Sequence, residues 1–111
     1  GPLGAGQIAK TANNILLWCN MQTSLEVLSL TRSLGLDPEA IREAMYDCSG
    51  DSWALRQLDR INPAWPVKDM INAMELAASV GEKMPMSQLM KDMAGQLSQE
   101  AANKILFGEE A

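Results

Sequence analysis

The sequence predicts an all-α domain of about five helices packed around a long N-terminal one. Three observations carry this. Residues Gln7 to Ser33 run without proline or glycine and repeat apolar side chains at helical intervals. No segment sustains the period-two alternation of β-branched residues that a half-buried strand requires. One Phe and one Tyr stand against eight Met in 111 residues, a composition suited to helix packing more than to sheet.

The first helix is placed from Gln7 to about Ser33, after an irregular opening loop over residues 1–6 (GPLGAG). Ile8, Ala12, Ile15 and Cys19, then Leu25, Val27, Leu28 and Leu30, cover much of its circumference, so it reads as the buried spine of a bundle. Gly35 suits its stop, because glycine tolerates the left-handed conformation. Asp37-Pro38-Glu39 starts a second helix: the Asp side chain accepts free backbone N–H bonds, and proline fits the first turn, where its missing N–H costs nothing. That helix is expected to reach about Cys48, with Ile41, Ala44 and Met45 inward. Ser49-Gly50-Asp51 reads as a turn, and Ser52 caps a short helix through Trp53, Leu55, Leu58 and Ile61. Pro63, Ala64, Trp65 and Pro66 make a rigid loop before a fourth helix from Val67 to Val80, stopped by Gly81. Pro85-Met86 opens a final long helix to about Leu106, with Gly108 beyond it. Gly95 inside that helix either costs about 1 kcal/mol relative to alanine or marks a close helix contact.

Length and charge narrow the function. The 111 residues make one domain with enough chain to bury a core without metals or disulfides. Nine Lys+Arg against fourteen Asp+Glu give a net charge of -5, which repels phosphate backbones, so no nucleic-acid partner is expected. With no histidine, imidazole triads, ligands and pH switches are excluded. Cys19 and Cys48 form no C-x-x-C pair, which argues against zinc or redox chemistry, and no metal site is expected. The longest apolar run, Ile15 to Cys19, is far too short to span a bilayer, and no signal-like start is present; a soluble, cytoplasmic protein without a membrane partner is expected. Gly-Pro-Leu-Gly matches the scar of a protease-cleaved expression tag, so the chain is expected to be a piece of something larger.

Lys10 and Asn14 lie four apart, on one helix face one turn from each other. A half-buried lysine beside an amide could transfer a proton to a substrate oxygen that the amide holds. On spacing alone, an exposed lysine beside Asn13 and Asn14 is the commoner outcome. The glycines Gly1, Gly4 and Gly6 suggest a phosphate cradle, but their order is not G-x-G-x-x-G and no strand precedes them, so the dinucleotide fingerprint fails. Lys68-Asp69 follows the stiff aromatic loop, with Asp69 in a helix's first turn, where negative charge suits the macrodipole. Asp59-Arg60, Lys91-Asp92, Glu39 and Glu43 read as solvated helix faces. Trp18, Trp53 and Trp65 could stack on a ligand, although core or interface packing is commoner. Met84, Met86, Met90 and Met93 read as core filler.

Taken together, Gly1-x-x-Gly4-x-Gly6-x-x-x-Lys10-x-x-x-Asn14 resembles the G-x-x-G-x-G-x-x-x-K-x-x-x-N signature of the β-hydroxyacid dehydrogenase family. That family includes 3-hydroxyisobutyrate dehydrogenase, tartronate semialdehyde reductase and, more distantly, 6-phosphogluconate dehydrogenase. Asn13-Asn14, Glu26-Val27-Leu28, Gly35-Leu36-Asp37 and Lys68-Asp69 ahead of an alanine-rich helix, with Pro85 beyond, extend the likeness over nearly the whole chain. The resemblance implies a C-terminal helical bundle like that of 6-phosphogluconate dehydrogenase, which serves substrate binding and dimerisation. An N-terminal Rossmann domain that binds NAD or NADP would precede it. Lys10 would be the general acid/base, Asn14 would hold the substrate hydroxyl, Gly6 would let backbone approach substrate at the helix start, and Lys68 would reach the cofactor. The substrate would be a small 3-hydroxy acid or its semialdehyde, and a homo-oligomer is implied. With no strand and no G-x-G-x-x-G here, the cofactor domain is expected to lie elsewhere, and this chain alone is expected to be inactive. The alternative is a non-enzymatic helical module that binds a partner helix or itself, motivated by the tryptophans and the methionine-rich end.

Overall fold

The structure, a computed structural model, describes residues 4–108, so Gly1 of the glycine motif lies outside the described residues. Six α-helices and no strand are formed among these residues: α1 (Ala5–Ser33), α2 (Pro38–Met45), α3 (Trp53–Arg56), α4 (Pro66–Ser79), α5 (Pro85–Met93) and α6 (Gln99–Phe107). None of them is long and apolar enough to cross a membrane. α1 packs against all five others. At about 1.5 Å per residue its 29 residues span about 44 Å, which sets the 50 Å long axis of the molecule.

Only one stripe of α1 is a spine. Trp18, Met21, Leu25 and Leu28, spaced three and four apart, are buried with Leu55, Leu58, Ile61, Met70, Met90, Ala102 and Leu106. Ile8 and Leu30, which the apolar pattern also offered to the core, are half or more exposed. Residues 5–10 are exposed throughout, so the bundle covers α1 only from about its second turn onward. The helix begins at Ala5, which puts Gly6 inside its first turn and not in a loop before it.

Local punctuation explains most boundaries. Gly35 ends α1 at φ 81°, with the Leu36 N–H returning to the Thr31 carbonyl at 3.1 Å. Gly81 ends α4 in the same way at φ 70°, with the Glu82 N–H on the Ala77 carbonyl at 2.9 Å. The Asp37 carboxylate accepts the Glu39 N–H, and the Ser52 hydroxyl accepts the Leu55 N–H, each at 3.0 Å.

Three expectations about extent fail. α3 ends at Arg56, so Leu58 and Ile61 reach the core from the turns that follow it and not from the helix. α2 stops at Met45, short of Cys48, because Asp47 takes φ 66° and sends its N–H to the Asp51 carboxylate at 2.8 Å. The single long final helix is two helices. Gly95 sits at φ 82°, outside helical space, and a side chain there would meet the Val67 methyl at 3.0 Å. The Ser98 hydroxyl then caps α6 through the Ala101 N–H at 3.0 Å.

The inward face of α2 also differs. Ala44 is exposed, and Arg42 is buried in its stead. Its guanidinium donates to Glu39 at 2.8 Å and to Asp59 at 3.3 Å, so these two carboxylates are partners of a buried cation and not merely solvated. Burial works against the Arg42 charge, but the Glu39 hydrogen bond and charge outweigh it and raise the pKa further.

From the end of α3, Arg56 reaches the loop between α2 and α3, where it donates to Asp51 at 2.6 Å and to Asp47 at 3.0 Å, and stacks 4.3 Å over the Tyr46 ring. The Arg56 hydrogen bond, aided by the Asp47 N–H, holds the Asp51 carboxyl below its ordinary 3.8. A carboxyl with a depressed folded-state pKa adds stability above the unfolded value and loses it as pH falls through the folded one. The denaturation midpoint of the wild type should therefore fall more between neutral pH and pH below 3.8 than that of Asp51→Asn. Equal losses in both proteins would contradict this.

Candidate functional site

α1 and α4 present facing polar stripes. Gln7, Lys10, Thr11 and Asn14 from α1 meet Lys68, Asp69, Asn72 and Leu76 from α4 around an open cleft of about 440 Å³. Both sets follow helical spacings of one, three and four residues, so each forms one wall. Proline at the first position of α4 fixes where that wall starts and places Lys68 and Asp69 in its first turn.

The cleft thus gathers Lys10, Asn14 and Lys68. Gly6 is not among its lining residues; it lies exposed beside Gln7, with open space where a side chain would go. Lys10 is exposed, not half-buried as the proton-transfer argument from sequence required. Among the described residues no hydrogen bond or ion pair engages Lys10, Asn14 or Lys68, so all three are available to a ligand. Asp69 is half-buried and accepts a hydrogen bond from the Trp18 indole N–H at 3.0 Å. The arrangement offers two ammonium groups and the amides of Gln7, Asn14 and Asn72 to one bound molecule, a donor set suited to carboxylate, hydroxyl and phosphate oxygens.

Sequence reasoning did not find Gln7, Thr11 or Asn72. The signal was present in the spacing, since Asn72 lies four residues after Lys68 and three after Asp69, but it has meaning only once α4 is known to face α1.

The other candidates do not converge on this cleft. Trp18 is buried in the core, Trp53 lines a separate apolar pocket with Leu16 and Leu17, and Trp65 is exposed just before α4. Met90 belongs to the core as expected, whereas Met86 is 76% exposed. Met86, Met90 and Met93 border a small groove with Cys19. Burial raises the Cys19 thiol pKa, whereas Cys48 is exposed. At about pH 8 an alkylating reagent should modify Cys48 roughly tenfold faster than Cys19; peptide mapping that finds Cys19 labelled first would contradict this.

A family model described as "NAD-binding of NADP-dependent 3-hydroxyisobutyrate dehydrogenase" matches residues 4–105. The 3-hydroxyisobutyrate dehydrogenase of Pseudomonas aeruginosa is 46% identical over 66 residues, which are 60% of this chain and 21% of that protein. The NAD-dependent L-serine dehydrogenase of the same species is 39% identical over 104 residues, 92% of this chain and 32% of that protein. A crystal structure of 3-hydroxyisobutyrate dehydrogenase from Salmonella typhimurium shares the fold at a TM-score of 0.76 and 19% identity, over 92% of this chain and 42% of that one. The chain therefore spans about a fifth of the first relative's length and about a third of the second's.

Proposed function

The chain belongs to the β-hydroxyacid dehydrogenase family, of the 3-hydroxyisobutyrate dehydrogenase type, and from that premise we propose that it is the substrate-side helical domain of an NAD- or NADP-dependent enzyme acting on a small 3-hydroxy acid or its semialdehyde. One observation carries the proposal: Lys10, Asn14 and Lys68, drawn from two helices and far apart in sequence, line a single cleft.

The donor set fits a nicotinamide dinucleotide on one side of the cleft and a hydroxy acid on the other. Lys68, with Asn72 one turn along α4, would hold the cofactor. When bound, the cofactor accepts hydride from the alcohol carbon or returns it to the carbonyl carbon. In oxidation, the neutral amine of Lys10 takes the proton from the substrate hydroxyl; in reduction, its ammonium gives that proton to the carbonyl oxygen. An ammonium so placed also stabilises the negative charge that develops on the oxygen. The Asn14 amide donates to the same oxygen and keeps it in reach of Lys10. Gly6, one turn before Lys10 and beyond the cleft's lining, would let substrate approach the backbone at the start of α1.

The open side of the cleft, where Lys10 is exposed, is where we place a Rossmann domain lying outside these residues; closure by that domain would shed water from Lys10 and strengthen its interactions. The chain by itself would then be inactive. The exposed Leu16 and Trp53 support pairing with a second copy in a homo-oligomer. Sedimentation of the full-length protein should show at least a dimer, and a monomer would remove this part of the proposal.

The test is turnover of the full-length protein with 3-hydroxyisobutyrate and with L-serine, each with NAD and with NADP. Formation of reduced nicotinamide with one combination is expected. No reduced nicotinamide from any β-hydroxy acid would overturn the proposal.

A further inference from the structure

We infer that Trp18 is a positioning residue for the cleft: its indole N–H holds the Asp69 carboxylate against α1 and thereby keeps Lys10 and Lys68 free for an anionic ligand. This rests on the reading of the cleft as a dehydrogenase site.

The cleft contains two ammonium groups and one carboxylate, yet among the described residues no ion pair joins Asp69 to either lysine. Opposite charges in one open cleft would ordinarily associate, because Lys10 and Lys68 are long, exposed and bound to nothing else. What separates them is the 3.0 Å bond from Trp18 Nε1 to Asp69 Oδ2. The donor cannot follow the carboxylate if it moves, because Trp18 is 4% exposed and locked among core residues. The first turn of α4 also favours a negative charge where Asp69 stands, so two effects hold the carboxylate against the seam between α1 and α4. Once the indole N–H is removed, the carboxylate is free to pair with a lysine. An incoming carboxylate or phosphate must then displace it.

The experiment uses the full-length protein at low salt, where exposed charges are least screened. Trp18→Phe should raise KM for 3-hydroxyisobutyrate roughly threefold to fivefold and leave kcat within about twofold. The double variant Trp18→Phe with Asp69→Asn should return KM to within about twofold of wild type, because a neutral amide does not neutralise a lysine. A merely structural bond predicts no rescue: it is already broken in Trp18→Phe, so the second substitution leaves KM where the first put it. Affinity for NADPH, read from the fluorescence of the bound nucleotide, should follow the same order without any turnover. Site-specific replacement of Trp18 by β-(3-benzothienyl)alanine keeps the ring shape and removes only the donor, so it gives the same readout if phenylalanine disturbs the core. An unchanged KM without the donor, or a double variant no better than the single one, overturns the inference. Full turnover in Lys10→Ala would instead overturn the dehydrogenase reading beneath it, so the two failures are distinct.

Discussion

Lys10→Ala in the full-length protein should lower turnover by roughly 10²- to 10⁴-fold, the usual worth of a positioned general acid or base. Dinucleotide affinity should stay within about twofold, because Lys10 and Lys68 stand on opposite walls of the cleft and the proposed cofactor contact is Lys68. Lys10→Arg separates charge from proton transfer. A guanidinium keeps the positive charge but does not give up its proton at ordinary pH, so oxidation should remain almost as impaired as with alanine. Asn14→Ala should cost about tenfold, since one amide hydrogen bond is lost and water partly replaces it. Steady-state rates and nucleotide titrations on the three variants check this. Near-normal turnover in Lys10→Ala would remove Lys10 from the chemistry.

The largest effect on stability is expected at Leu28. Its side chain is 0% exposed on the helix that touches every other one, so Leu28→Ala leaves a cavity that five packed helices cannot readily collapse. The cost should be about 3 kcal/mol, read as a melting temperature lower by roughly 10–20 °C. Leu30→Ala, two residues further on, removes the same atoms from a side chain that is 60% exposed and should cost no more than about 0.5 kcal/mol. Comparable losses at both positions would mean that the buried stripe of α1 has been assigned to the wrong face.

That pair of leucines marks the limit of what α1 discloses by itself. Leu25, Val27, Leu28 and Leu30 are all apolar, and the pattern covers so much of the helix that no single stripe stands out. The helix could be read; its inward face could not. Arg42 shows the same limit from the other side. In sequence it is one more charge in an acidic helix; Glu39 one turn before it and Asp59 from beyond α3 together sustain it as a buried cation, and the second partner has no local signal. The break between α5 and α6 was closer to legible. Gly95 followed by Ser98 is a stop and a start, but the apolar spacing on both sides fits one continuous helix, and that fit concealed the break.

The site divides likewise. Lys10 and Asn14 share a face by arithmetic alone, one turn apart on an uninterrupted helix. Lys68 was legible locally as a charge at a helix start after a stiff loop, but its cofactor role came from family resemblance, and nothing local connects it to Lys10 or Asn14. The Trp18–Asp69 bond, across 51 residues, had no sequence signal at all.

The sequence by itself determined the helical class, the caps at Asp37 and Ser52, and the stops at Gly35 and Gly81. Each of these is settled by hydrogen bonds or backbone torsions within a few residues, so a short stretch of chain contains the whole cause. The tertiary structure alone decided which face of α1 is buried, that Arg42 turns inward, and that α4 lays Lys68 and Asp69 opposite Lys10. Those outcomes depend on which distant surfaces exclude water from each other, and that free energy belongs to the pair of surfaces and to neither segment on its own.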